Sequence, residues 1–499
     1  MKNINRIITA VSGIALSLVM TTSCDLLDIT QDNKLSASNM WKDATDVTTA
    51  ANGIYYRMRS NFVSNYCNVF YWGELRVGDY MWGPSLESNA NNADMIGVRT
   101  STMTGTTEST KWSALYTAID QANSVLKYAP KVTMTASDRG FAVGQAAFAR
   151  AYCYFWAARM WGDVPLNLVP IESSTQPETY PTRTPKAQVY AQIKADIDTA
   201  LNNSAYLGAN KYLATEDAVN MLKAEFGLWM YSTQAGGNAY LDYAEAALDA
   251  IGISSTRLLK DFSDVFDRSH KCNNEVVFAL NNNQTEGLLG GYYWFYYYPS
   301  NLVGKEYQQN PVPINATQWL SYSQEFVDTL RASESRNNDI RVACNLGYGP
   351  YGSGDGHIIS WPNKFLGDMS SSITINDCDL LYYRYAYAVM MDAELKYYKG
   401  DYSGALQSLN LIAARAYGKT SFYKDASKEA VCDALVREYF LEFPSEGVIW
   451  WALVRLDKIW DYNEGLSAKK ASNPNILLWP ISTSAINKNN KLTQTQGWS

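Results

Sequence analysis

Histidine, the residue that most often carries acid–base catalysis, is rare in this chain, and no common catalytic motif is present. There are only two histidines, His270 and His357. The sequence contains no HExxH, no GxSxG elbow, no P-loop and no EF-hand loop. No motif therefore supports a metalloprotease, an esterase or a nucleotide-dependent enzyme. Paired carboxylates about 5 to 10 Å apart, as in a helical glycosidase, stay open as an alternative because acidic residues are common.

Aromatic side chains point to binding instead. Seven of them follow one another from Tyr292 to Tyr298, in the stretch GYYWFYYYP. A buried strand favours Val, Ile and Leu, and a half-exposed strand alternates with polar residues, so neither pattern explains this run. Since the chain holds 36 tyrosines and 15 tryptophans in all, the run continues a bias of the whole sequence.

Composition limits the class of protein and the kind of partner. With 499 residues, of which 47% are hydrophobic and 18% charged, the chain can bury a large core. The net charge of −7 and the lack of a long Lys or Arg run argue against a nucleic-acid partner. The cysteines show no CxxC spacing and therefore form no zinc pattern. We expect no cofactor and no metal in the ligand site.

The N-terminus has the pattern of an export signal. Lys2 and Arg6 precede an apolar stretch, residues 7–20, which is short for a membrane span and typical of a signal peptide. Small residues then lead to Cys24. This order is similar to a bacterial lipoprotein cleavage site, so we expect residues 1–23 to be removed and Cys24 to be lipidated.

Helical periodicity dominates the rest of the chain. Apolar residues recur at three- and four-residue spacing, and predict helices near 43–60, 109–129, 138–161, 185–202, 215–234, 239–251, 380–399, 402–416 and 427–443. Gly, Pro, Asn and Ser crowd residues 253–375, which predicts a large irregular insertion. The sequence therefore predicts a mainly α protein, with a helical scaffold that carries a loop-rich segment.

Two stretches have the form helix, tight turn, helix. One covers residues 218–251 and the other residues 387–416. Small residues such as Ala393 and Ala405, with a turn at Gly400 and Asp401, are typical of degenerate tetratricopeptide repeats. Because one helix pair cannot bury its apolar face alone, several pairs must stack into a scaffold.

The stretch GQAAFARAYCYFWAARMWGDVPL, residues 144–166, resembles the signature of SusD-like (SusD/RagB) outer-membrane lipoproteins. Further family landmarks follow in order along the chain: NEVVFAL at 274–280, LLYYRYAYAVMMDAELKY at 380–397, LNLIAARA at 409–416, VREYFLEFPSEGVIWWALVR at 436–455 and LWPIS at 478–482. The resemblance covers essentially residues 24–499. On the signature helix we expect Arg150 and Arg159 to be buried and paired with a carboxylate such as Glu394 or Glu438.

The resemblance implies a binding function without catalysis. Family members capture oligosaccharides at the cell surface and lie as a hinged lid over a SusC-like TonB-dependent outer-membrane transporter. It thus implies a non-catalytic, lipid-anchored glycan-binding protein. Some relatives are thought to bind peptides, so a peptide ligand is the first alternative, and a helical glycoside hydrolase is a less favoured one.

Glycan sites need flat rings beside polar groups, because the C–H face of a sugar packs on Trp or Tyr while its hydroxyls pair with Asn, Asp and Arg. Two stretches offer such mixtures, and the first lies where family members place part of their ligand site. The predicted glycan-binding residues are Trp72, Arg76, Asp79, Tyr80, Trp82, Asn91, Asn92, Tyr292, Trp294, Tyr296, Trp319 and Trp361. Because rings alternate faces along a strand, half of the aromatic run is expected in the core and half as an exposed platform.

Overall fold

The computed structural model describes residues 40–62, 69–84, 93–283, 285, 318–350, 358–365 and 377–498. Helices of the first half of the chain are α1 Ala44–Phe62, α2 Val69–Gly73, α3 Ala93–Arg99, α4 Ser113–Tyr128, α5 Ala136–Trp161, α6 Lys186–Asn202, α7 Glu216–Gln234 and α8 Asn238–Ile251. Those of the second half are α9 Gln324–Asn337, α10 Val342–Asn345, α11 Tyr385–Lys399, α12 Tyr402–Tyr417, α13 Lys428–Glu442, α14 Ile449–Arg455, α15 Ile459–Tyr462, α16 Glu464–Ser467 and α17 Thr483–Lys488. The prediction of a mainly α protein is confirmed.

Short strands join distant parts of the helical scaffold. They are β1 Trp82–Pro84, β2 Val276–Leu280, β3 Leu320–Tyr322, β4 Gly347–Pro350, β5 Ile358–Trp361 and β6 Leu380–Arg384. They form three antiparallel pairs, β1 with β3, β2 with β6 and β4 with β5. The prediction of helix from residue 380 is wrong for its first five residues, because these pair with β2 instead.

The predicted helix pairs are confirmed, and their ends follow capping chemistry. In the second pair, Gly400 ends α11 with a φ of 78°, a value that favours glycine, and the Asp401 side chain accepts from Gly404 N to begin α12. In the first pair, a Cβ at Gly227 would lie 2.6 Å from Tyr240 O. Only glycine therefore lets α7 and α8 approach this closely.

The segment between 253 and 375 is more regular than its composition indicates. Its described part holds the 14-residue α9, which starts at the Ser323 N-cap, where the side chain accepts from Phe326 N. Phe326 and Leu330 of α9 are fully buried. The sequence analysis did not predict this helix, because most of its residues are polar and only a narrow apolar stripe faces the core.

The buried arginines of α5 are paired, as expected, but with other carboxylates. Arg150 donates to both oxygens of Asp196, at 2.8 and 2.6 Å, and Arg159 donates to Glu225 at 2.6 Å. Glu394 instead accepts from Arg455, at 2.7 and 2.9 Å. The expected partners were wrong because Glu394 pairs with Arg455 and Glu438 with Arg341. These arginines belong to other elements, and local spacing does not indicate such contacts.

A larger ionic cluster lies at the centre of the second half. Arg384 donates to Glu446 at 2.6 Å, to Glu442 at 2.7 Å and to Glu275 at 2.9 Å. Arg341 binds Asp339 through two parallel hydrogen bonds of 2.9 Å and also contacts Glu438 and Glu442. Burial opposes the charge of Glu442, but Arg415, Arg384 and Arg341 bring its pKa well below the usual range.

None of the helices in the described ranges combines the length and apolar character needed to cross a bilayer.

Candidate functional site

The structure places the described ends of the two stretches predicted to bind ligand side by side, in a two-stranded ribbon. In the ribbon of β1 and β3, Trp82 pairs with Tyr322 and Pro84 with Leu320. Just before β3, the Gln318 side chain donates to Ser360 O of β5 at 2.8 Å. Pro84 and Gln318, the described residues that border segments 85–92 and 286–317, therefore lie at the same end of this ribbon.

Four of the predicted ligand residues belong to the core, which corrects their assignment. Trp72, Arg76 and Trp82 are completely buried, and Trp361 is 1% exposed. Trp72 donates to Ser109 O at 3.0 Å and packs edge-on against Trp161. A ring without an exposed face cannot stack on a sugar. These tryptophans therefore supply packing to the scaffold.

Arg76 has a structural role that its sequence context did not reveal. Its guanidinium lies 4.6 Å from the ring centre of Trp450 and 5.7 Å from that of Trp479. It donates to Ile476 O at 2.6 Å and to Leu477 O at 2.9 Å, and burial lowers its pKa to about 9. The arginine thus fastens the turn at 75–77 to the C-terminal segment.

The neighbouring Glu74 fixes a second turn of the same scaffold. It is fully buried and accepts from the backbone N–H groups of Ser445 at 2.5 Å and Gly447 at 2.7 Å. Burial raises its pKa to about 8, against the effect of these two donors. Since a Cβ at Gly73 would lie 1.9 Å from Gly447 O, the two turns are in direct backbone contact.

The remaining predicted residues divide into accessible ones and ones that lie outside the described residues. Asp79 is exposed and forms an ion pair with Arg99, and Trp319 is half-buried beside β3. The predictions for Cys24, Asn91, Asn92, Tyr292, Trp294 and Tyr296 lie outside the described residues.

The structure places Tyr80, one of the predicted ligand residues, in a cleft. We name this the Tyr80 cleft, a cavity of about 250 Å³ lined by Tyr80, Thr329, Asp433, Val436, Arg437, Phe440, Leu441, Lys458, Asp461 and Tyr462. The Tyr80 ring centre lies 4.7 Å from that of Phe440 and 4.9 Å from that of Tyr462, both edge-on. Burial raises the pKa of Tyr80, so the phenol stays neutral. The half-buried rings of Tyr80 and Tyr462 thus form the apolar part of the cleft, and the buried ring of Phe440 packs against both.

The charged side chains of the cleft are balanced. Asp433 and Asp461 are exposed carboxylates, and Arg437 and Lys458 are their basic counterparts. Lys458 Nζ lies 3.6 Å from Asp461, one helical turn away. Two acids and two bases beside aromatic rings suit a neutral ligand with many hydroxyl groups.

The sequence interpretation missed the contributions of α13 and α15 to this cleft. Their polar residues alternate with core residues and look like any solvated helix face. Tyr80 was the only part of this cleft that the sequence indicated. Its partners Phe440 and Tyr462 lie more than three hundred residues later in the chain, so local sequence could not connect them with Tyr80.

One group of side chains could hold a cation. Ligand atoms of Asp264, Asp267 and His270 all lie within 4.8 Å of one another. Two of the three residues are exposed, and exposed acidic groups often gather in this way without an ion. None of the three residues lines the Tyr80 cleft, and we assign no metal to the group.

Two family models and a bacterial relative match this chain. Residues 352–498 match the model of the SusD family, and residues 25–219 match a model described as starch-binding and associating with the outer membrane. A SusD-like protein of Formosa agariphila is 23% identical, and the match covers 96% of this chain and 97% of the relative.

Solved structures share the fold. A SusD superfamily protein of Bacteroides vulgatus is 25% identical, with a TM-score of 0.77 over 92% of this chain and 100% of the other. NanU of B. fragilis is 24% identical, with a TM-score of 0.77 over 93% and 98% of the two chains. A laminarin-binding SusD-like protein is 20% identical, with a TM-score of 0.73 over 92% and 100%.

Proposed function

Because this chain belongs to the SusD/RagB family, we propose that it captures oligosaccharides at the cell surface and delivers them to a TonB-dependent outer-membrane transporter. In this proposal the protein binds its cargo and does not change it. The Tyr80 cleft is the observation that supports this function, since it combines aromatic rings with polar side chains in an accessible cavity.

The chemistry of the cleft fits a neutral glycan. A pyranose ring places its C–H groups against aromatic carbon, while hydroxyl groups exchange hydrogen bonds with carboxylates and cations. Asp433 and Asp461 accept such hydrogen bonds, and Arg437 and Lys458 donate them. A cavity of about 250 Å³ accommodates one end of an oligosaccharide.

The relatives support the same ligand class. One solved structure with this fold is a laminarin-binding SusD-like protein, and one matching family model is described as starch-binding. Laminarin and starch are both uncharged glucose polymers. A neutral polysaccharide is therefore the ligand class that we propose for this chain.

The proposal extends to anchoring and to domain organisation. Residues 1–23 act as the signal peptide, and Cys24 carries the lipid that holds the protein at the outer membrane. More than one acyl chain is needed for stable attachment, as a fully acylated N-terminal cysteine provides. Residues 24–499 then form one SusD-like domain at the cell surface, next to the transporter.

We expect the purified protein to bind neutral oligosaccharides on a glycan array and to show no binding to a mixture of short peptides. The physical reason is that the Tyr80 cleft offers rings and side-chain polar groups, whereas a peptide site uses backbone pairing along a strand. Chromatography of the recovered glycans should show unchanged chain lengths. Binding of peptides alone, or release of new reducing ends, would contradict the proposal.

A further inference from the structure

A second cavity lies on the helical scaffold, and the Tyr80 cleft shares none of its lining residues. It has a volume of about 660 Å³, within the usual size range of small-molecule sites. Its walls come from α1, the first half of α4, the connection after α5 and the C-terminal segment around α17. We call this cavity the α4 groove.

The walls of the α4 groove are fixed by hydrogen bonds that do not involve a ligand. Tyr116 of α4 donates to Pro165 O at 2.6 Å, and Asn489 donates to Pro181 O at 2.7 Å. Trp112 packs edge-on against the buried Trp161, with ring centres 5.7 Å apart. The cavity is therefore already formed in the isolated chain, so a ligand does not have to order it.

The charge of the α4 groove is unbalanced, in contrast to that of the Tyr80 cleft. Arg57, Lys111 and Lys488 line it, with Asp120 as the single lining carboxylate. Asp120 already accepts from Ile171 N at 2.7 Å, and Lys111 pairs with Glu108 outside the cavity. Among the described residues, neither Arg57 nor Lys488 forms an ion pair. Arg57 lies close enough to Asp120 to oppose the rise in its pKa that burial causes, so the charge of Arg57 is partly balanced. The exposed Lys488 is the second cation available to a ligand.

The other polar groups of the α4 groove are hydroxyls and amides. They come from Ser113, Thr117, Gln121, Asn167, Ser484 and Asn489. Such groups pair with sugar hydroxyls, while a guanidinium and an ammonium pair with a carboxylate. From this combination we propose that the α4 groove binds an acidic sugar, meaning a monosaccharide or disaccharide that carries a carboxylate.

This inference goes beyond neutral glycan capture and does not depend on it. The test uses the full-length mature protein and calorimetric titration with galacturonic acid. Galactose is the matched neutral probe, because the two sugars differ at the carboxylate. Acetate supplies the carboxylate without the sugar ring. We expect galacturonic acid to bind, binding to weaken as salt rises, and both control compounds to bind at least about tenfold more weakly.

The variant Arg57→Ala/Lys488→Ala removes both cations from exposed positions, so folding should be retained. We expect it to lose about tenfold or more in affinity for galacturonic acid, since hydrogen bonds to charged groups are among the stronger ones. Lys491→Ala removes one exposed charge from the same segment but outside the groove, and should leave the affinity unchanged.

Three results would overturn the inference: no binding of galacturonic acid, equal binding of acetate, or an equal loss in Lys491→Ala. The variant Asp433→Ala/Asp461→Ala changes the Tyr80 cleft but none of the residues that line the α4 groove. That variant should bind galacturonic acid as the unmodified protein does. The proposal for the α4 groove and the proposal for the Tyr80 cleft can therefore be rejected independently of each other.

Discussion

Replacing Arg384 with methionine is expected to destabilise the protein by about 3–5 kcal/mol, the usual cost of removing one partner from a buried ion pair. Arg384 is 2% exposed and donates to Glu275, Glu442 and Glu446. These three glutamates raise its pKa well above the ordinary value, although burial acts in the opposite direction. Without the guanidinium, three buried carboxylates lose a shared counterion. Among the described residues, Arg415, Arg341 and Lys364 are then left to balance their charge.

Chemical denaturation of Arg384→Met measures this effect, and Arg336→Met is the matched control. Arg336 is an exposed residue in the last turn of α9, so its loss should change the free energy of unfolding by less than about 0.5 kcal/mol. Equal stability of Arg384→Met and the unmodified protein would show that the ionic cluster does not hold the second half of the scaffold together.

Replacing Trp82 with alanine is the second change with a large expected effect. The ring is completely buried between Tyr322, at 4.9 Å, and Phe70, at 5.1 Å. Truncation of a buried tryptophan typically costs about 3–5 kcal/mol, because the surroundings close the cavity only in part. Thermal unfolding should therefore show a clear fall in the midpoint. This replaces the expectation that Trp82 contacts the ligand directly.

Tyr180→Ala serves as the control for Trp82→Ala. Tyr180 is 48% exposed, so its truncation removes an aromatic ring and leaves no buried cavity. We expect its thermal midpoint to stay close to that of the unmodified protein. If Trp82→Ala unfolded at the original temperature but no longer bound glycan, the ring would be a ligand contact and the structural role given to it here would be wrong.

Helices were the most predictable part of the fold, because their signals are local. The predicted helix at 185–202 is observed at Lys186–Asn202, and that at 215–234 at Glu216–Gln234. Apolar spacing and capping residues lie within each segment, so no distant contact is needed to place them. The strand β6 was missed because its partner β2 lies about a hundred residues earlier.

The candidate site was less predictable, for a physical reason. Tryptophan beside arginine and glycine is typical of an exposed sugar platform, but also of a packed junction such as that of Arg76 with Trp450 and Trp479. Local composition does not distinguish the two, because burial depends on segments four hundred residues away. Conversely, Asp433 and Asp461 are ordinary polar residues in the sequence, and only the fold places them around Tyr80.

The most direct measurement of the central claim is a calorimetric titration of Asp433→Ala/Asp461→Ala with the neutral oligosaccharide that binds best on the array. Both carboxylates are exposed, so the thermal midpoint should be unchanged, and Asp249→Ala on α8 is the matched control. We predict at least about a tenfold loss of affinity in the double variant and none in the control. Because the charges of the cleft are balanced, the affinity of the unmodified protein should depend little on salt. Unchanged affinity in the folded double variant would contradict the assignment of the Tyr80 cleft as the glycan site.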